Sequence, residues 1–418
     1  MAPRGLPLLG HVLQLALPSR LRFIQSLRTH GPVVQLRLGP RRAYVLTSPE
    51  AMRQLLQVQA KKFTKGRLFE KSRPFIGDGV LTTDGDVNRR QRRAMQPAFH
   101  RPRIASYAPQ MQAVTARHIS TWQSGQVLDV QRDMRTLAGS LISHVLFSDD
   151  LASELSTTVE EALPIVQAGV NWRVLGPGSL FAGLPTPGNR RFSSACTRLW
   201  QTTDDLIKAY RSSTVERSDL VSLLMAAPDP HTGGPMSDTE LRDEIITIFI
   251  AGIETVATTM SWALHVLSTR DDIARRLVDV PYLQAFINEV LRYYTPNVLL
   301  MRNTTEAVEI EGTAIPPGAE VLYSPAALHR DPSLYPNPSH FDPSRWLRRV
   351  DLPKCAFIPF GMGTHRCVGD NLALAELQVV LTTLVAQWRF VPITKVREVA
   401  AILVHPSPGF ALRLQERS

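Results

Sequence analysis

Apolar residues recur at helical spacing over most of the chain, and the pattern predicts long helices near 104–122, 126–147, 152–171, 190–212 and 239–268. The last of these differs from the rest. Asp243–Leu267 is apolar almost all round, so a helix of about 37 Å is expected in the middle of the molecule rather than on its surface. Glu254 interrupts that run too early for a membrane span, and Ser237-Asp-Thr-Glu240 ahead of it has the spacing of a capping box. Strict alternation occurs in Val33–Leu38, with Val34, Leu36 and Leu38 on one face; Gly39-Pro-Arg-Arg and the run Ala43–Thr47 complete a hairpin pattern. Three stretches fit neither period. The segment 174–189 is rich in glycine and proline yet keeps Leu and Phe, which predicts an apolar loop packed over something; 226–235 reads as a surface connection. From Tyr294 to Cys367 the chain reads as irregular and proline-rich.

Composition adds little to this picture: 44% hydrophobic and 20% charged residues suit a large core, and 418 residues favour two or more domains. Three cysteines, Cys196, Cys355 and Cys367, do not make a disulfide framework, so a reducing compartment is expected and any special cysteine is a ligand or nucleophile. The first residues are broken by prolines and His11, with no run near the ~18 apolar residues of a span, and the chain reads as cytoplasmic with no membrane partner. A net charge of +10 admits nucleic acid, but the arginines are dispersed without a recognition motif, so none is expected. The densest cluster, Arg89, Arg90, Arg92 and Arg93, fits either a docking face for an acidic protein or a solvated helix face.

The chemistry concentrates in Phe360-Gly361-Met-Gly363-Thr-His365-Arg-Cys367-Val-Gly369. Glycines at 361, 363 and 369 permit tight turns that bring amides toward sulfur, and an apolar helix begins at Asp370 with Leu372, Leu374 and Leu377. A cysteine just before a helix start meets the positive end of the helix dipole, which favours its thiolate. A plain buried cysteine and a zinc site from Cys355, His365 and Cys367 are the competing readings; the second has the wrong spacing and lacks a fourth ligand.

The whole string resembles the haem-binding loop of cytochromes P450 at every defining position, and the chain is identified as similar to the soluble, actinobacterial type. That resemblance implies a mainly α fold, a triangular helical domain with small β-sheets spanning 1–418, so the two-domain expectation gives way. It implies haem b (iron protoporphyrin IX) bound through Cys367, with Phe360 beside the sulfur, Gly361 and Gly369 shaping the loop, and His365, Arg302 and Arg92 on the haem propionates. Asn88 stands where the family usually has a histidine or tryptophan on a propionate, and it is expected as a shorter hydrogen-bond donor to the cofactor there. Ala251-Gly252-Ile-Glu254-Thr255 resembles the oxygen-activation motif: the small pair leaves room for O2, and acid and alcohol organise water for proton delivery. Glu289 and Arg292, three residues apart, with Arg345 of Phe341-Asp-Pro-Ser-Arg-Trp346, resemble a buried structural network.

The implied activity is insertion of one oxygen atom from O2 into a C–H bond (or C=C) of a hydrophobic small molecule, in secondary metabolism. Electrons are expected from NAD(P)H through a separate ferredoxin reductase and ferredoxin, and the enzyme is expected to be a monomer. A peroxygenase or haem isomerase on the same fold and a non-enzymatic haem protein are the alternatives. Pocket walls are expected from the loop Gly66–Leu81, the loop 174–189, the helix near Ile250–Thr255 and Val298–Leu300, with Phe69, Phe75, Trp172, Phe181, Phe249, Val298 and Leu299 as the apolar lining. The Arg-Arg-Gln-Arg-Arg-x-x-Gln-Pro-Ala-Phe stretch is similar to enzymes that oxidise terpenes, so a terpenoid is favoured over a polyketide.

Overall fold

A computed structural model of the chain describes residues 3, 5–147, 152–175, 181, 183–215, 217, 219–227, 234, 236–348 and 351–417. Among them are nine helices of ten residues or more: α1 Arg67–Ile76, α2 Gly85–Met95, α3 Arg101–Ile119, α4 Val130–Leu146, α5 Ala152–Leu175, α6 Pro187–Ser212, α7 Asp238–Thr269, α8 Val280–Tyr293 and α9 Asp370–Gln387. Local chemistry sets their starts. Ser237 and Glu240 form the reciprocal capping box of α7, Asp129 accepts the Arg132 N–H ahead of α4, and Thr186 caps α6 with Pro187 in its first turn.

At 32 residues, α7 crosses the molecule with Ile245, Ile246, Ile253, Met260, Trp262 and Leu264 buried, packed along α4 and α6 and touching α8 and α9. It is long and apolar enough to cross a membrane, but most of its apolar window is buried in protein. One apolar cluster runs from Leu21 to Leu414 around it. To one side lies a five-stranded sheet of β1 Val33–Leu38, β2 Arg41–Leu46, β3 Phe63–Thr64, β4 Leu300–Thr304 and β5 Glu320–Tyr323, in the order β1-β2-β5-β4-β3. The expected hairpin is β1–β2, with Val33 opposite Leu46. Among the described residues the other strands form small sheets: Val127–Asp129 with Trp388–Pro392 and Ala411–Glu416, Val308–Ile310 with Thr313–Ile315, and β6 Glu398–Ala400 with β7 Val404–Pro406.

Several expectations need correction. The expected loop Gly66–Leu81 contains α1, bracketed by Gly66 (φ 91°) and Gly77 (φ 81°), with Pro74 inside it; those bounding glycines act as helix ends, not as loop. The segment 126–147 is a short strand followed by α4. The irregular stretch after Tyr294 contains β4 and β5, whose central positions in the sheet could not be read from runs of four or five residues. Helical structure covers 174–175 and 187–189 at the ends of the apolar-loop segment, while 176–180 and 182 fall outside the described residues, as does most of 226–235.

Candidate active site

The cysteine loop is closed by the Cys367 N–H donating to Phe360 O at 2.9 Å. Gly361 and Gly363 have φ of 68° and 71°, and a Cβ on Gly363 would fall 1.8 Å from Leu56 O, so this position tolerates only glycine. Gly369, by contrast, has an ordinary φ of −89° and contributes its N–H to the sulfur instead. Cys367 is open to solvent on one side and enclosed by protein on the others. That enclosure pushes its thiol up to about 11, against the pull of the Gly369 N–H, Arg92 and Arg366. A thiol so placed binds a soft metal as the thiolate, its proton being released on binding.

Cations gather close by. Arg302 on β4 is buried, over the Tyr323 ring at 5.6 Å and without a carboxylate partner among the described residues. Arg92 on α2 is half-buried, and desolvation lowers its pKa. Lys65 is buried with its ammonium donating to Val80 O and, at 3.0 Å, to Leu81 O; burial lowers its pKa to about 7. Burial together with Arg302, Lys65 and Arg92 holds His365 at about 3, so its 3.5 Å approach to Asp84 is not an ion pair at neutral pH. His365 Nδ1 and Asp84 Oδ1 are buried with no hydrogen-bond partner. The Lys65 role was missed by sequence reasoning, since nothing in its neighbourhood marks it. Asn88 departs from expectation: its amide donates to Val80 O (2.8 Å) and Thr83 Oγ1 (3.3 Å), so its two hydrogens pin the 80–83 loop and leave none for a propionate.

Ala251 is exposed in the middle of an otherwise buried helix, with Gly252 and Thr255 partly exposed beside it. The Thr255 hydroxyl donates to Ala251 O at 2.7 Å. Glu254 is not bare in apolar surroundings. Arg135 of α4 grips it through Nε (3.0 Å) and Nη2 (3.2 Å), and His405 of β7 lies 4.0 Å away, hydrogen-bonded through Nδ1 to Thr258 Oγ1 at 3.2 Å. Arg135 and His405 come from segments 119 and 147 positions from their partners on α7, so no local pattern marks them.

Under the loop, Glu289 accepts from Arg292 Nε (2.9 Å) and Nη2 (2.8 Å), from Arg345 Nε (3.1 Å), from Trp346 Nε1 (2.9 Å) and from the Asp342 N–H (2.9 Å). Arg292 also donates to His329 O at 2.9 Å. The Arg cluster on α2 is divided: Arg89 pairs with Asp86 and Arg90 with Glu240, while Arg92 turns inward.

The expected lining separates into two groups. Phe69, Phe75 and Leu299 keep partial exposure, and Trp172 and Phe181 are half-exposed. Phe249 and Val298, at 1% and 0% exposure, are core residues. Phe249 stacks on Phe147 at 5.9 Å because two residues along a helix is about 200° around it, away from the face of Ala251. Val298 is held by backbone bonds to Ile402 and by Ser324.

The structure thus sets a cysteine loop with an exposed sulfur and neighbouring cations in a helical frame whose central helix carries a small-residue gap. The family model for cytochrome P450 matches residues 1–279 and 275–412. The chain is 40% identical to cyclooctatin synthase of Streptomyces melanosporofaciens, covering 95% of this chain and 91% of that one. It is 36% identical to pentalenene oxygenase of Streptomyces avermitilis, covering 100% and 97%. Among solved structures, the haem domain of cytochrome P450DA superposes with a TM-score of 0.88 at 24% identity, covering 100% and 97%, and a retinoic acid-bound cyanobacterial P450 with 0.87 at 23%, covering 100% and 99%. The chain belongs to the cytochrome P450 family and is a haem-thiolate, O2-dependent monooxygenase. The residues present fit that cofactor. Buried Arg302 and half-buried Arg92 have no carboxylate partner among the described residues, and His365 Nδ1 is buried without a hydrogen-bond partner, which suits the two carboxylates of a porphyrin, and a soft thiol donor lies in electrostatic reach of Arg92.

Proposed function

We propose that the chain forms one cytoplasmic, monomeric domain that oxygenates a hydrophobic terpenoid. Cys367 ligates the iron of haem b, and Arg92, Arg302 and His365, joined by Lys65, receive the propionates. The observation that carries this reading is the exposed Cys367 sulfur, with Arg92 in electrostatic reach, in the same loop as His365, on which Arg302, Lys65 and Arg92 converge. When bound, haem supplies O2 binding and its reductive activation. The protein's own contribution is positional. Ala251 and Gly252 leave space on α7, the Thr255 hydroxyl stands over that space, and Glu254, held by Arg135 and facing His405, passes protons toward it. Phe69, Phe75, Leu299, Trp172 and Phe181 form apolar walls for the guest. The names of the relatives, cyclooctatin synthase, cyclooctat-9-en-7-ol 5-monooxygenase and pentalenene oxygenase, support a terpenoid over a polyketide. Electrons arrive from NAD(P)H through ferredoxin reductase and ferredoxin, since bacterial members of the family generally draw on redox partners.

The test is spectroscopic. The reduced protein with carbon monoxide should show the long-wavelength Soret band of thiolate-ligated haem, and Cys367→Ser should lose it while keeping far-UV circular dichroism. Terpenes titrated into the ferric enzyme should move it from low to high spin; a shift given by polyketides and by no terpene rejects the substrate class.

A further inference from the structure

The first 49 residues contain seven arginines and no lysine, aspartate or glutamate. The same segment carries Leu6, Leu8, Leu9, Val12, Leu13 and Leu17, all exposed. Leu8 is 87% exposed at the apex of a tight turn and has φ of 61°, a conformation unfavourable for a leucine. The turn is firmly built: Leu6 N–H donates to Gly10 O (2.8 Å), Gly10 N–H to Leu6 O (2.9 Å), and Leu9 O accepts from Gly39 N–H (3.2 Å). Gly10 is seated so closely that a Cβ would fall 2.2 Å from Arg37 O. His11, buried at its base, accepts the Arg37 N–H at Nδ1 (3.1 Å) and meets Pro3 O through Nε2 (2.9 Å). The apex is thereby fixed alongside the Arg37–Gly39 end of β1, next to the β1–β2 turn. Of the arginines here, Arg41 pairs with Glu320 and Arg28 with Asp331, whereas Arg22, Arg37 and Arg42 are exposed without a carboxylate partner among the described residues.

The turn holds a large apolar side chain in water on a backbone conformation that disfavours it, and only the exposure of that side chain can be relieved by a partner. We propose that this turn docks on an anionic lipid surface, Leu8 and its apolar neighbours entering the acyl boundary while the arginines meet headgroup phosphates. Exposed Arg22, Arg37 and Arg42, without a carboxylate partner among the described residues, together with the apolar tip, select an anionic bilayer over a protein face of mixed charge. The contact is peripheral, needs no spanning helix, revises the expectation of no membrane partner, and stands independently of the substrate assignment.

The haem-loaded full chain is sedimented with vesicles of phosphatidylcholine alone or mixed with phosphatidylglycerol. Binding is expected to the mixed vesicles only, to weaken in high salt, and to fall about fivefold with each of Arg37→Gln and Arg42→Gln. Leu8→Gly removes the tip at a backbone position glycine prefers, so binding should drop at least about fivefold with a melting temperature no lower than wild type. Equal binding to both vesicle types, no binding, or wild-type binding by Leu8→Gly overturns the proposal. So does a dimer in sedimentation velocity that Leu8→Gly dissolves in the absence of lipid binding.

Discussion

Nε2 of His329 accepts the backbone N–H of Ile358 at 2.9 Å. With Nε2 an acceptor, the ring proton sits on Nδ1 and is donated to Thr295 Oγ1 at 2.7 Å, whose own hydroxyl returns to Leu291 O or Arg292 O. A fully buried imidazole thus joins the Glu289–Arg292 network to the chain entering the cysteine loop.

That imidazole must stay neutral. Burial, with Arg292 adding to it, lowers its pKa to about 3 from an ordinary value of 6.5. A base depressed in the fold contributes stability that is complete above about 6.5 and lost as pH falls toward about 3. His329→Gln should therefore flatten the acid limb of a melting-temperature profile across that window. A limb parallel to wild type rejects the assignment.

Breaking the Glu289 network should be costly. Arg292→Met leaves a fully buried carboxylate short of its forked partner, and a loss of about 3–5 kcal/mol is expected. Urea unfolding measures it, and haem content should fall in parallel because the network underlies the loop. Arg345, on the rim of the network at 12% side-chain exposure, should cost less.

Glu244 gives the opposite pH signature. It is fully buried on α7, accepts the Val80 N–H at 2.9 Å, and desolvation raises its pKa from 4.5 to about 8. An acid raised in the fold destabilises it progressively as pH climbs from about 4.5 to about 8, by a total on the order of a few kcal/mol. Glu244→Gln imitates the protonated acid, so its melting temperature should match wild type near pH 4.5 and exceed it at pH 8. A constant difference across that range counts against the titration.

Thr255→Ala removes the hydroxyl over the oxygen space while leaving α7 intact, because the lost bond is only a side chain returning to Ala251 O. NADPH consumption should continue with product replaced by released hydrogen peroxide. Unchanged coupling would remove Thr255 from proton delivery.

The parts legible in the sequence were those whose residues are neighbours along it. The cysteine loop, the capped central helix with its Ala251–Thr255 gap and the β1–β2 hairpin each carry their signal along one short continuous stretch of chain. Lys65 acts through partners 15 and 16 positions away, and Arg135, His329 and His405 through partners 29 to 147 positions away, so no local period marks them. Phe249 was assigned to the pocket by hydrophobicity alone, although its angular distance from Ala251 on the same helix places it in the core. The stretch Gly66–Leu81, expected as a loop, holds α1 with Gly66 and Gly77 as its boundaries and Pro74 inside it.

The fork between Arg135 and Glu254 has a practical corollary. Acid, guanidinium and His405 are supplied by α7, α4 and β7, whereas the proposed apolar walls come from α1, the end of α5, Phe181 and Leu299. Under the proposed function, shape selection and acid supply thus reside on largely separate pieces of scaffold, and a library that rewrites the walls is expected to change which guest is accepted while the Arg135–Glu254 fork is inherited unaltered.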